Sequence, residues 1–311
     1  MKETFNFGND YSDVFLHTQH TLPQSHVQNA AKPLEGYPRL QELHRLKAEQ
    51  VALSACKRFG SRTPQPQIQP KLEEWVKQGL EFDVVMVGGC PGDSNQCSLG
   101  NGVRLPTRDE LKGLPIGKLT PRPSIAFLWV PGSQVDMGRK VMESWGFRRS
   151  EDVVFFPSSM SSVYYPPRAE SLSESCPIPI VQASTWHCIM GLKGTVRRSE
   201  DVHLINCNVD TDVIVESPDH VIQGIVPQSI FQVIENFALM NRRLHIVPIC
   251  QKQAEKPLPV MTRPGWVILS PDVLLNNFSP KEYNEEIAKV GKLVSITEEI
   301  DKLRPKSPKN E

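Results

Sequence analysis

The 311-residue chain contains no run approaching the roughly 18 to 20 consecutive apolar residues that a membrane-spanning helix needs. Its first residues, Met1 to Asp10, also lack the apolar core of a secretory signal peptide. A soluble, intracellular protein with no membrane partner is therefore expected. There is no excess charge of either sign, since 35 Lys and Arg stand against 35 Asp and Glu. Bulk electrostatics does not attract nucleic acid, and any such partner has to be met by a local patch. Cysteine occurs seven times, at Cys56, Cys90, Cys97, Cys176, Cys188, Cys207 and Cys250, and never as C-x-x-C. The odd count and scattered spacing exclude a disulfide framework and give no zinc-site pattern, so free thiols are expected.

What is present is an ordinary globular mixture, 39% hydrophobic and 23% charged, long enough for a sizeable core. Proline is in excess: 27 residues in 311 exceed the usual share of about 5%. Prolines interrupt the stretches 60–70, 157–183 and 251–262. The first of these reads as a linker and the other two as insertions too long for simple connections. The first 35 residues form a polar arm in which His17, His20 and His26 have no Cys beside them, and no metal site is expected there. From Tyr37 to about Cys56, Leu40, Leu43 and Leu46 recur at helical spacing with Arg39, Lys47 and Glu49 between them. This predicts an amphipathic helix.

Beyond residue 72 apolar strands alternate with helices. The runs 82–87, 124–130, 152–156, 187–192, 211–215, 244–249 and 266–269 read as strands, and Thr107-x-x-Glu110 is a capping box. Val135, Gly138, Val141, Met142 and Trp145 line one helix, while Ile230, Phe231, Ile234, Phe237 and Ala238 line another opened by Pro227. The alternation predicts a doubly wound, mostly parallel α/β sheet over residues 72–275, with residues 1–71 an N-terminal arm and 276–311 a helical segment and tail. The late strands, which have no helix between them, predict an antiparallel edge.

Phe127-Leu128-Trp129, Met137-Gly138-Arg139, Trp145-Gly146-Phe147-Arg148-Arg149-Ser150-Glu151-Asp152, His187-Cys188-Ile189-Met190-Gly191-Leu192-Lys193-Gly194-Thr195-Val196-Arg197-Arg198, Asn208-Val209-Asp210, Arg242-Arg243-Leu244-His245, Arg263-Pro264-Gly265-Trp266 and Leu303-Arg304-Pro305 come in one order along the chain. They resemble the N6-adenosine RNA methyltransferase family. Within it they are most similar to the non-catalytic, methyltransferase-like fourteen type branch and its fungal counterpart, which regulates karyogamy and meiosis.

The resemblance implies a class I methyltransferase (Rossmann-like) sheet. It also implies a nuclear protein whose partners are a catalytic homologue in a heterodimer, messenger RNA and, in the fungal branch, a DNA-binding transcription factor. Catalytic members carry Asp-Pro-Pro-Trp just after the first strand, where acidic and carbonyl oxygens hold the adenine amine and the aromatic stacks on the base. Here that place reads Gly88-Gly89-Cys90-Pro91, and it lacks the G-x-G-x-x-G of a nucleotide-cradling turn. The family's Gly-Arg turn and Asn-Gln pair for S-adenosylmethionine fall on Pro248-Ile249-Cys250 and Ser270-Pro271-Asp272. The expectation is a pseudoenzyme without catalytic residues, cofactor or metal, with Asp83 structural and His187 and His245 satisfied core groups. Arg139, Arg148, Arg149, Arg197 and Arg198 match basic positions of the family's RNA groove, where they would contact phosphates without reading sequence. One further groove position falls on Glu143. The alternative reading pairs Arg148 and Arg149 with Glu151 and Asp152 on a solvated face.

Overall fold

The computed structural model describes residues 38–91, 103–166, 180–197, 201–206, 212–217, 224–251 and 257–303. Eight strands form one sheet: β1 (Phe59–Arg62), β2 (Val84–Val87), β3 (Ser124–Pro131), β4 (Arg148–Phe156), β5 (Trp186–Lys193), β6 (Val213–Val215), β7 (Arg243–Ile246) and β8 (Trp266–Ser270). Their order is β1-β8-β7-β2-β3-β5-β4-β6. All neighbours are parallel except β5, which runs against both β3 and β4. This is the expected α/β sheet, with one correction. β7 and β8 are parallel despite having no helix between them, and the reversed strand lies inside the sheet rather than at its edge.

Apolar side chains leave both faces of the sheet, as strands covered on two sides require. One face meets α2 (Ile68–Lys77), α3 (Arg108–Gly113), α4 (Ile116–Leu119), α5 (Val135–Ser144) and α8 (Pro280–Val290) through residues such as Leu72, Trp75, Val141, Trp145 and Tyr283. The other meets α7 (Ser229–Phe237) and the segment around Tyr164. The Thr107–Glu110 capping box closes the start of α3 as expected. Two short helices, α6 (Ile180–Ser184) and α9 (Glu298–Leu303), complete the set.

Two readings need correction. The stretch 60–70 is not a linker: it finishes β1 and begins α2, whose Ile68, Leu72 and Trp75 are buried. The outer edge of β1 is closed by its own chain. Asn277 Oδ1 accepts from Gly60 N–H at 3.0 Å, Asn276 Oδ1 accepts from Arg62 N–H at 2.9 Å, and the Gly60 carbonyl takes the Asn277 and Phe278 N–H groups. Gly60 is required there, because a Cβ would lie 2.3 Å from the Leu275 carbonyl oxygen. In α1 (Pro38–Ser54) the buried line among the described side chains is Leu43, Lys47 and Val51, with Leu46 only half-buried, and Lys47 Nζ donates to the Asn236 carbonyl of α7. An i, i+4 row faces α7, and the lysine ammonium is accepted there because a backbone oxygen awaits it.

Candidate functional site

In open α/β sheets ligands bind beyond the carboxyl ends of the strands, which here are the ends of β2, β3, β7 and β8. That end is closed. Gly88 leaves β2 with φ +94°, a conformation open to glycine but strained for other residues. Its N–H donates to the Ile246 carbonyl at 2.8 Å, and its carbonyl lies 2.9 Å from His245 Nε2. Gly89 lies so close to Ile225 that a Cβ would fall 2.8 Å from Ile225 Cγ1. Cys90 N–H donates to the Ile225 carbonyl at 2.7 Å, Ile225 N–H donates to Pro259 O at 2.9 Å, and Tyr164 Oη donates to Gly224 O at 2.9 Å. Four segments are thus linked at the strand ends, and Gly88, Gly89, Cys90 and Pro91 are all buried. Burial pushes the Cys90 thiol well above its ordinary pKa. It also lowers His245 to about 4, against the Gly88 hydrogen bond. Both groups are therefore neutral at pH 7.

The neighbouring turn is closed in the same manner. Gln251 N–H donates to Asp272 Oδ2 at 2.9 Å, and the Gln251 amide clasps both the N–H and the carbonyl of Leu258. The Asp272 carboxylate is thereby engaged inside the protein. Grafting Asp-Pro-Pro-Trp onto positions 88–91 is expected to cost about 2 kcal/mol or more, through strain at the positive φ and loss of the Cys90 N–H donor. Thermal melts of the graft, with calorimetry for S-adenosylmethionine, check this; a stable graft that binds the cofactor would contradict it.

The arginines lie elsewhere. β4 runs parallel to β3, so Arg148 and Arg149 at its start are at the opposite end of the sheet from Gly88-Gly89-Cys90-Pro91. Both are exposed. Arg149 pairs with Gly191 on the α5 face, and Arg148 pairs with Leu192 on the other. A bulge at Ser150 then turns Glu151 away from Arg149 and opposite Met190. Among the described residues neither arginine forms an ion pair. Asp152 instead meets His187 Nδ1 at 2.9 Å, and His187 Nε2 lies 3.3 Å from Thr185 Oγ1. The alternative pairing with Glu151 and Asp152 is therefore not formed.

Arg139 does not join them: it sits on the second turn of α5, paired with Asp136 at 2.9 Å. Arg197 is exposed just beyond β5, its N–H donating to Asp201 Oδ2 at 2.7 Å. Arg198, the N-terminal histidines, and residues 208–210 and 304–308 lie outside the described residues.

Asp83 is structural, as expected: its carboxylate holds Arg242 from the start of β2, with Nε at 2.7 Å from Oδ2. Cys56, Cys90, Cys188 and Cys250 are free thiols. Among the described residues no His, Cys, Asp and Glu cluster could hold a metal, and no helix is long and apolar enough to cross a membrane. Sequence reasoning missed Arg122, beside Gly194, and Lys118, both at the basic end of the sheet.

With this architecture in view, comparison with known proteins finds a match to the MT-A70 family over residues 100–249, from just before α3 to just after β7. The chain is also 41% identical over 305 residues to karyogamy protein KAR4 of Saccharomyces cerevisiae, covering 96% of this chain and 85% of that protein. The chain belongs to the MT-A70 family. Two further relatives are matched over a smaller share of their own length. The N(6)-adenosine-methyltransferase non-catalytic subunit METTL14 of Xenopus laevis is 32% identical over 98% of this chain, which spans 64% of that protein. The non-catalytic subunit MTB of Arabidopsis thaliana is 33% identical over 68% of this chain and 27% of its own length. These three relatives thus carry names of non-catalytic subunits or of a karyogamy protein. The eight-stranded sheet is that of a class I methyltransferase-like fold.

Proposed function

We propose that this MT-A70 chain is a non-catalytic, pseudo-methyltransferase subunit of a nuclear messenger-RNA N6-adenosine methyltransferase complex. It pairs through its α/β domain with a catalytic homologue, stabilises that partner, and contributes Arg148 and Arg149 to RNA binding. It binds no S-adenosylmethionine itself. The observation that carries this reading is the end of the sheet where a cofactor and a base would sit. Among the described residues Gly88 to Pro91 are buried there against Ile225, which is bonded in turn to Pro259, and the Asp272 carboxylate just beyond β8 is already engaged. An adenine amine finds no carboxylate and an adenine ring no aromatic platform among Gly88, Gly89, Cys90 and Pro91.

The test is co-expression with the homologue of the same organism that bears Asp-Pro-Pro-Trp. The pair is expected to methylate RNA, with this chain alone inactive and giving no calorimetric heat with S-adenosylmethionine. Cofactor binding by the lone chain, or a homologue equally stable and active without it, overturns the proposal.

A second reading is favoured by the 41% identity to a karyogamy protein: a transcription regulator acting with a DNA-binding factor in mating, karyogamy or meiosis. Affinity purification from cells with this chain as bait separates the two. A stoichiometric homologue carrying Asp-Pro-Pro-Trp supports the first, and a sequence-specific transcription factor supports the second.

A further inference from the structure

A cleft of 620 Å³ opens between the ends of α2, α3, α4 and α5, walled by Lys77, Lys112, Lys118, Leu114, Ser144 and Trp145. Among the described residues none of its three lysines forms an ion pair. The acidic side chain in its wall, Glu73, is occupied: its Oε1 accepts from Gln69 Nε2 at 3.1 Å. A lysine in the last turn of a helix ordinarily offsets the negative helix end. That accounts poorly for Lys112 and Lys118, whose helices have six and four residues and little dipole to offset. Nor does it account for three cations from three helices facing one hollow.

The cleft is continuous with the basic end of the sheet. On one side the chain leaves the wall at Ser144 and Trp145, turns at Gly146 (φ +85°) and reaches Arg148 and Arg149. On the other side, Lys193 Nζ donates to Gly117 O and Thr120 O, both at 2.6 Å, fixing the wall that holds Lys118 against the end of β5. Arg122 follows directly and lies against Gly194. Arg149 projects on the α5 face, the face that carries the cleft.

We propose that this lysine cleft continues the path of single-stranded RNA beyond Arg148 and Arg149 by binding backbone phosphates; the proposal rests on the RNA-binding role argued above. Three separate ammonium groups, each a point charge, spread along one cleft suit phosphates repeated along a strand. Trp145 is buried and its Nε1–H is donated to Leu111 O at 3.0 Å, so no base stacks there and the contact carries no sequence preference.

The test uses the full chain in complex with its catalytic homologue and a fluorescent oligouridylate. Affinity is measured across about 50 to 200 mM salt. The triple variant Lys77→Ala, Lys112→Ala, Lys118→Ala is expected to bind more weakly. Its plot of log affinity against log salt should be shallower by about two, since each single-strand phosphate contact contributes about 0.7. The paired variant Lys71→Ala, Lys281→Ala, outside the cleft, should leave the slope unchanged. An unchanged slope in the triple variant, with a reduced one in Arg148→Ala, Arg149→Ala, overturns the cleft and leaves the RNA role standing. No RNA binding by the unsubstituted complex overturns both. If the triple variant loses its homologue on co-purification while the residual complex keeps the full slope, the cleft is a protein contact and the proposal fails.

Discussion

Lowering the pH from 7 to 4.5 is expected to cost this protein about 5 kcal/mol of stability, a large part of the roughly 5 to 15 kcal/mol that a folded domain has. The cause is two imidazoles held neutral inside the fold. His245 is fully buried on β7, and burial lowers its pKa to about 4, although its hydrogen bond to the Gly88 carbonyl opposes the shift. His44 lies between α1 and α7 and is also lowered to about 4, first by burial and then by the charge of Lys47. Asn236 Nδ2 donates to His44 Nδ1 at 3.1 Å, leaving little room for a proton on that nitrogen.

Both folded pKa values are depressed below the ordinary 6.5, so the unfolded chain takes up protons first as the pH falls. Stability is intact above pH 6.5 and declines toward pH 4, with about 3 kcal/mol at stake for each ring and most of it gone by pH 4.5. Asp212 and Glu151 act with the opposite sign. Burial raises both, and neighbouring carboxylates add to the effect, so they offset a small part of the loss. Urea unfolding at a series of pH values reads the decline, and His44→Gln should flatten about half of it. A profile level from pH 7 to 4.5 would show that these rings titrate normally.

Glu235→Ala is expected to destabilise the protein by about 3 to 5 kcal/mol, the cost of removing one partner from a buried charge network. The Glu235 carboxylate accepts from Arg263 Nε at 2.7 Å, Arg263 Nη2 at 2.6 Å and Trp266 Nε1 at 2.8 Å. It also supports Arg243, which is fully buried and whose pKa burial lowers while Glu235 holds it up. Alanine would leave the Trp266 indole N–H without an acceptor and the Arg263 guanidinium without its carboxylate, and would remove a negative charge that favours the buried Arg243 cation. Glu235→Gln keeps one acceptor and should cost less. A loss of roughly 5 to 8 °C in melting temperature for the alanine variant follows from the usual unfolding entropy per residue over a chain of this length. Equal melting of the alanine variant and the unsubstituted protein would refute the network.

The sequence made the sheet readable because its strands are continuous apolar runs and its helices carry regular apolar rows. Val84 to Val87 and Ser124 to Pro131 are buried along their whole length. What stayed hidden depended on partners far along the chain. Lys47 looked like a solvent-facing residue because nothing local announces the Asn236 carbonyl that receives it. β1 was masked by the surrounding prolines, and its pairing with β8 lies about two hundred residues away in sequence. The direction of β5 depends on three-dimensional closure rather than on periodicity.

At the site, the change at Gly88-Gly89-Cys90-Pro91 was visible as chemistry, but its occupation by Ile225 was not. Arg148 and Arg149 were legible as a basic pair. Their projection to opposite faces follows from strand alternation, and the bulge that separates them from Glu151 appears only in the register with β5.

The closed outer edge of β1 bears on how the protein behaves when crowded. With Gly60 and Arg62 already bonded to Asn276 and Asn277, no second molecule can extend the sheet at that end. A sheet that cannot grow at one end can join another molecule at most once, at the other. Strand-to-strand association then stops at a pair of molecules and does not run on into a fibre.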